Sequence, residues 1–242
     1  MAIQAPSSNF QDLLTATQTR FKATAGNLHP ESWWILALSA VCASGKPSLA
    51  ADVYSYLISL PHHKTPNQRQ KLMRKVREAL VKMVPIIGVA RPLEAIMCID
   101  AVTRPEDKDS SFSREHWTND KANHERGTRW LRQLYSDNLD PIKDIFKTQR
   151  DFGWISEEIT YGLYLSDHRI LDGVETELVV LSGMIAQNLP RMTAWHLRAC
   201  RRMGLTPEEC EVIQSCVSSR SYLAGNSADL ACRLSELLNL RA

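Results

Sequence analysis

The chain has 242 residues, 44% of them hydrophobic and 23% charged, with 29 Lys and Arg against 27 Asp and Glu. That balance excludes a disordered or fibrous chain, and a net charge of only +2 argues against a nucleic-acid partner. Gly (10) and Pro (11) are few for a chain rich in tight β-turns, so the composition points to helices. The length allows one large domain or two modest ones.

The cysteines are Cys42, Cys98, Cys200, Cys210, Cys216 and Cys232, and no two form CxxC or CxC. Neither a zinc ribbon nor a thioredoxin-like redox pair is therefore written here. Residues Met1 to Phe10 lack a basic region followed by an apolar run, so no secretory signal is expected. The longest apolar stretches, such as Trp33 to Cys42, are too short to span a bilayer. These features lead us to expect a cytoplasmic protein with reduced thiols and no membrane contact. The Ser- and Thr-bearing start, with Asp12 as its only acid, leaves a mitochondrial location as the alternative.

Hydrophobic periodicity is helical almost throughout. Phe10, Leu13, Leu14, Thr17 and Phe21 line one face of a first helix. Pro30-Glu31 opens a second, which Gly45 stops. Pro47-Ser48 starts a third through Tyr56, closed by Leu60-Pro61. Thr65-Pro66 caps a fourth, running to Val84-Pro85, and Pro92 opens a short fifth to Val102. Residues 103–126 are polar and carry a turn signal, Arg104 to Ser111, so a linker is placed there between units 1–102 and 127–242. Helical patterning resumes near Gly127. Later starts fall at Asp172 and at Thr206-Pro207-Glu208-Glu209, a capping box with Pro in the first turn. No strand is expected, so the fold class is all-α.

Two segments align without gaps. Ile35 to Ala40 corresponds to Leu178 to Gly183 at an offset of 143 residues, and Ala43 and Pro47 then match Ala186 and Pro190. Thr65-Pro66 resembles Thr206-Pro207, and Ile86 to Gly88 resembles Leu223 to Gly225. A helical unit packed against its own copy would account for this pattern.

Glu177 and His196 are the leading candidates for chemistry. The break at Gln187 to Pro190 lets their helices fold back antiparallel, so the carboxylate and imidazole can meet across the hairpin. A carboxylate beside an imidazole fixes its tautomer, raises its basicity and makes a proton-transfer pair. The same two residues also read as a buried His satisfied by a Glu purely for packing. Tyr161 and Trp195 could line an apolar pocket, and Arg198 could reach a substrate carboxylate. His116, Asp120 and His124 could share a helical face and bind a metal, though a solvated face is the plainer reading, and no metal or cofactor is expected. His62-His63 sits in a loop, where neighbours rarely ligate one ion together. Arg69, Lys71, Arg74, Lys75, Arg77 and Lys82 read as an exposed basic face or a port for an anionic substrate; an RNA-binding helix is a third option.

Glu177-Leu178, then Trp195-His196-Leu197-Arg198-Ala199-Cys200 and Gly204-Leu205-Thr206-Pro207-Glu208-Glu209, resemble the carboxymuconolactone decarboxylase and alkylhydroperoxidase D-like family. Tyr161-Gly162 and Leu171-Asp172 resemble the stretch before that motif. The match covers Tyr161 to Gly225, with a weaker echo over Glu31 to Pro92, so the resemblance implies two tandem units of that helical fold. It also implies that Glu177 and His196 carry a functional pair, and that the chain forms a homo-oligomer acting on a small-molecule substrate without a cofactor. Two departures matter. The family's peroxidases carry CxxC where this chain has Leu189 and Met192, which excludes disulfide-cycling peroxidase chemistry. The Arg that usually precedes the Glu is Thr176. In the first unit the positions of the pair hold Trp34 and Val53. The expectation is an acid–base enzyme of decarboxylase, isomerase or lactone-hydrolase type. The competing class is a non-catalytic binding or assembly protein.

Overall fold

The computed structural model describes residues 8–218 apart from residue 25. The described residues form helices and no strand, so the fold is all-α. The helices are α1 (Ser8–Ala23), α2 (Trp33–Ala43), α3 (Ala50–Ser59), α4 (Pro66–Ile87), α5 (Ala90–Val102), α6 (Lys121–Tyr135), α7 (Leu139–Ile145), α8 (Arg150–Trp154), a π-helix (Ile155–Leu165), α9 (Gly173–Ala186), α10 (Pro190–Arg202) and α11 (Pro207–Val217). The expected likeness of Leu223 to Gly225 to Ile86 to Gly88 lies outside the described residues.

Every residue of α2 is buried, and α9 is apolar nearly all round. A helix with no polar face belongs in the middle of a core. α2 and α9 accordingly pack against each other, and one hydrophobic cluster joins α1–α5 to α9–α11. A second, smaller cluster holds α6, the π-helix and the inner face of α10 through Trp130, Leu134, Tyr161 and Ala199.

Element boundaries recur at an offset of 143 residues. α2 ends at Ala43 and α9 at Ala186. The next helical stretch opens at Pro47, as a 3-10 turn leading into α3, and at Pro190, and these stretches close at Ser59 and Arg202. Between them Gly45 (φ 80°) and Asn188 (φ 56°) both take the left-handed conformation that lets the chain reverse. The Ser32 hydroxyl donates to Glu175 Oε1 (2.7 Å), a residue 143 positions further on. Complete capping boxes open α4 (Thr65, Gln68), α9 (Asp172, Glu175) and α11 (Thr206, Glu209).

Several boundaries differ from expectation. α4 runs through Pro85 and stops at Gly88, whose φ of 82° breaks the helix. α5 opens at Ala90, two residues before Pro92. α6 begins at Lys121 rather than near Gly127, because Asp120 caps it by accepting from the Asn123 N–H (2.9 Å).

The basic stretch of α4 is largely paired, although Lys71 stays exposed. Arg69 is buried on Asp107 (2.7 Å), while Arg74 (2.7 Å) and Arg77 (2.8 Å) share Asp109. Lys75 pairs with Glu175 (2.9 Å). The Arg114 guanidinium grips Glu78 bidentately at 2.6 and 2.7 Å. The polar segment between the halves is therefore a strap along α4, its acids answering the helix's bases. The proposed His116, Asp120 and His124 face does not form: His116 lies in a turn and Asp120 caps α6. His124 instead approaches Glu158 and, with Glu157, forms a partly exposed cluster. His62 faces Glu31 (3.2 Å).

Candidate functional site

α9 and α10 do fold back as an antiparallel pair. Glu177 projects from the first turns of α9 and His196 from the middle of α10. Glu177 Oε2 lies 2.7 Å from His196 Nδ1, with side-chain exposures of 0% and 1%. With an ionised carboxylate, which only accepts, and a neutral ring, Nδ1–H would donate to Glu177 and leave the lone pair on Nε2. Glu177 Oε1 is buried with no hydrogen-bond partner among the described residues.

The Nε2 edge meets two tyrosines. The Tyr135 hydroxyl is 3.2 Å from Nε2 and the Tyr161 hydroxyl 3.5 Å, and the two hydroxyls are 3.0 Å apart. With Nε2 accepting, Tyr135 donates to it and Tyr161 donates to Tyr135. The result is a hydrogen-bonded row, Tyr161, Tyr135, His196, Glu177. Burial pushes the Tyr135 hydroxyl up to about 12 and Tyr161 well above its ordinary value, so both keep their protons at neutral pH.

Tyr161 owes its position to the π-helix. The wider winding of residues 155–165 is shown by the Ser166 N–H, which bonds the Tyr161 carbonyl five residues back (2.9 Å). Side chains from other segments take up its carbonyls. Asn123 Nδ2 donates to Glu158 O (2.9 Å) and Arg114 Nε to Leu163 O (3.2 Å). The buried Lys82 ammonium donates to the carbonyls of Leu165 (3.1 Å) and Asp167 (2.7 Å), with Tyr164 O at 3.4 Å. Burial pulls Lys82 down to about 8, against the attraction of Glu78. Gly127 and Gly162 let α6 and the π-helix approach to backbone contact.

A cavity of about 330 Å³ opens against His196, Tyr135 and Tyr161. Its walls are apolar, with Leu131, Leu139, Ile142, Met184, Met192 and Trp195 among them. Towards solvent it is edged by Lys143, Lys147, Arg150, Trp154 and Glu157. Four of the five expected site residues thus come together: Glu177 and His196 as a pair, Tyr161 and Trp195 beside them. Arg198 does not line the cavity; two residues beyond His196 on α10, it points to the other side of the helix. Tyr135 was not among the sequence candidates. The Trp130, Leu131, Leu134, Tyr135 stripe of α6 is the signal that would have placed it on a buried face.

Of the two positions where the family's peroxidases carry cysteine, Met192 lines the cavity and Leu189 is exposed. All described cysteines are free. Burial pushes Cys42 to about 12 and Cys210 and Cys216 to about 11, and raises Cys200 well above its ordinary value, so none of these four is a ready thiolate.

Among curated proteins, Peroxisomal protein 2 of Schizosaccharomyces pombe is 23% identical over 185 residues, which span 76% of this chain and 83% of the relative. That is a distant relationship over most of both chains. No family model matches the chain, and no solved structure matches it. No helix of the described residues is long and apolar enough to cross a membrane.

Proposed function

We propose that the chain is a cofactor-free acid–base enzyme acting on a small organic substrate, with His196 moving the proton. The observation that carries this reading is a buried carboxylate on His196 Nδ1 while the Nε2 edge faces an apolar cavity. In such a site Nε2 takes a proton from carbon next to a carbonyl, and Glu177 stabilises the imidazolium. Tyr135, which donates to Nε2 in the free site, turns its O–H to the developing enolate oxygen and leaves Nε2 to the substrate. Returning the proton to a different carbon gives an isomer. In a decarboxylation Nε2 instead takes the proton of the substrate's own carboxyl group, and the imidazolium so formed returns it to the carbon of the enolate left when CO2 departs. Peroxide reduction through a Cys pair has no place in this reading, since Leu189 and Met192 hold those positions.

We place the chain, on its motifs, in the carboxymuconolactone decarboxylase and alkylhydroperoxidase D-like family, as two tandem helical units. The helix boundaries and left-handed residues recurring at 143 residues support the duplication. In the first unit Trp34 and Val53 occupy the places of the pair, and both are buried. That unit completes the core and leaves the chemistry to the second. Association of copies belongs to the same proposal and is read by light scattering. The relative's name brings a peroxisomal setting beside the cytoplasmic one; a fluorescent fusion imaged with an organelle marker separates them.

A second reading, a non-catalytic binding or assembly protein, is favoured by one observation: His196 is only 1% exposed and its Nε2 is already met by Tyr135. The test between the two is a panel of oxo acids and enol lactones in D2O. Decarboxylation, isomerisation and α-carbon deuterium uptake are followed by NMR, for the parent and for His196→Gln. The enzyme reading expects turnover that falls about 10²- to 10⁴-fold in the variant. No turnover by the parent favours the binding protein, and equal turnover in both excludes His196 as the acid or base.

A further inference from the structure

The charges and the apolar walls of this cavity are sorted by depth. At the closed end sit His196, Tyr135 and Tyr161, all nearly inaccessible and all hydrogen-bonding groups. Most of the other lining residues are apolar. The outer edge carries three cations, Lys143, Lys147 and Arg150, against one lining carboxylate, Glu157. Lys143 is answered by Glu157 (2.8 Å) and Lys147 by Asp144 (2.8 Å). The exposed Arg150 has no ion pair or hydrogen bond among the described residues. Trp154, 54% exposed, stands at the same edge and offers a ring to the part of a ligand nearest solvent.

We propose that the ligand is an amphipathic oxo acid: a carbonyl oxygen at the buried end, a hydrocarbon middle, and an anionic group held at the edge by Arg150 with Lys147. The proposal rests on the acid–base reading of the same site. Each part answers one layer of the cavity. A neutral carbonyl accepts from the Tyr135 hydroxyl once it turns from Nε2, whereas a carboxylate there would lie close to buried Glu177. The hydrocarbon replaces water against Leu139, Ile142 and Met184. The anion meets a guanidinium that can grip it in a bidentate fashion.

The test is calorimetric titration of the whole protein with 7-oxooctanoate, octan-2-one and octanoate. The proposal expects 7-oxooctanoate to bind about tenfold tighter than either comparator, each of which lacks one end group. In the double variant K147Q/R150Q the affinity for 7-oxooctanoate should fall to that of octan-2-one, whose own affinity is unchanged. In Tyr135→Phe the advantage over octanoate should shrink. Equal binding of octan-2-one and 7-oxooctanoate by the parent overturns the anionic end, and no binding of any of the three overturns the ligand class. Selective binding without turnover supports the ligand class and sinks only the acid–base reading. Turnover of an uncharged substrate, with 7-oxooctanoate unbound, does the reverse.

Discussion

Gly127→Ala tests whether backbone contact between α6 and the π-helix sets the position of Tyr161. A Cβ at residue 127 would meet the Glu157 carbonyl oxygen at 2.6 Å, Gly162 N at 2.8 Å and Gly162 Cα at 2.9 Å. Ordinary contact begins near 3.4 Å, so the two elements must separate by about 0.5 to 0.8 Å. All three atoms are backbone, and no side-chain rotation relieves them. Overpacking of this kind costs about 1–3 kcal/mol. Replacing Gly by Ala in a helix interior returns up to about 1 kcal/mol. The net expectation is a loss of about 1–2 kcal/mol, or about 2–8 °C in Tm for a chain of this size. Urea unfolding followed by far-ultraviolet circular dichroism measures it. A variant as stable as the parent, or more stable, would refute the close-approach reasoning, since that is how a helical glycine with free space behaves.

Asp107→Asn removes the charge that answers buried Arg69 and should cost about 3–5 kcal/mol, whereas Arg69→Met with Asp107→Leu should cost much less; a double-mutant cycle by urea unfolding checks this. Lys82 sits lower in the folded chain, at about 8, than at its ordinary 10.5. The unfolded chain therefore binds more protons across that window, and the stability of the parent minus that of Lys82→Met should rise from about pH 8 to 10.5. A flat or falling difference would contradict the buried ammonium. In a Cys232→Ser background at pH 8, Cys98, the least buried of the described cysteines, should react first with a thiol reagent, and Cys42, Cys200, Cys210 and Cys216 only on unfolding. Purified protein with dithiol reductant should not reduce peroxide; sustained turnover would sink the reading of Leu189 and Met192.

How much of this was legible in the sequence follows from how local each feature is. The capping boxes at Thr65 and Thr206 show because their parts lie three residues apart. The Glu177–His196 pairing shows because one short turn joins two helices of recognisable length. Arg198 failed for a local reason too: helical spacing places it opposite His196, and a motif match does not carry direction. The π-helix leaves no such trace, because apolar spacing records which face is buried and not which carbonyl each N–H meets. Its register depends on Asn123, Arg114 and Lys82, between 35 and 85 residues away from the carbonyls they bind. For the same reason the basic run of α4 looked exposed: its acids, Asp107 and Asp109, lie more than thirty residues later in a segment that reads as linker.

The central claim is that Glu177 holds the proton on His196 Nδ1 and leaves Nε2 as the base facing the cavity. Nitrogen-15 NMR of the His196 ring in the parent and in Glu177→Gln tests it most directly. At a pH where the ring is neutral, the account predicts an Nδ1–H tautomer in the parent, with Nε2 unprotonated, and a weakened preference in the variant. A proton on Nε2 in the parent would leave no base at the cavity wall and would contradict the account.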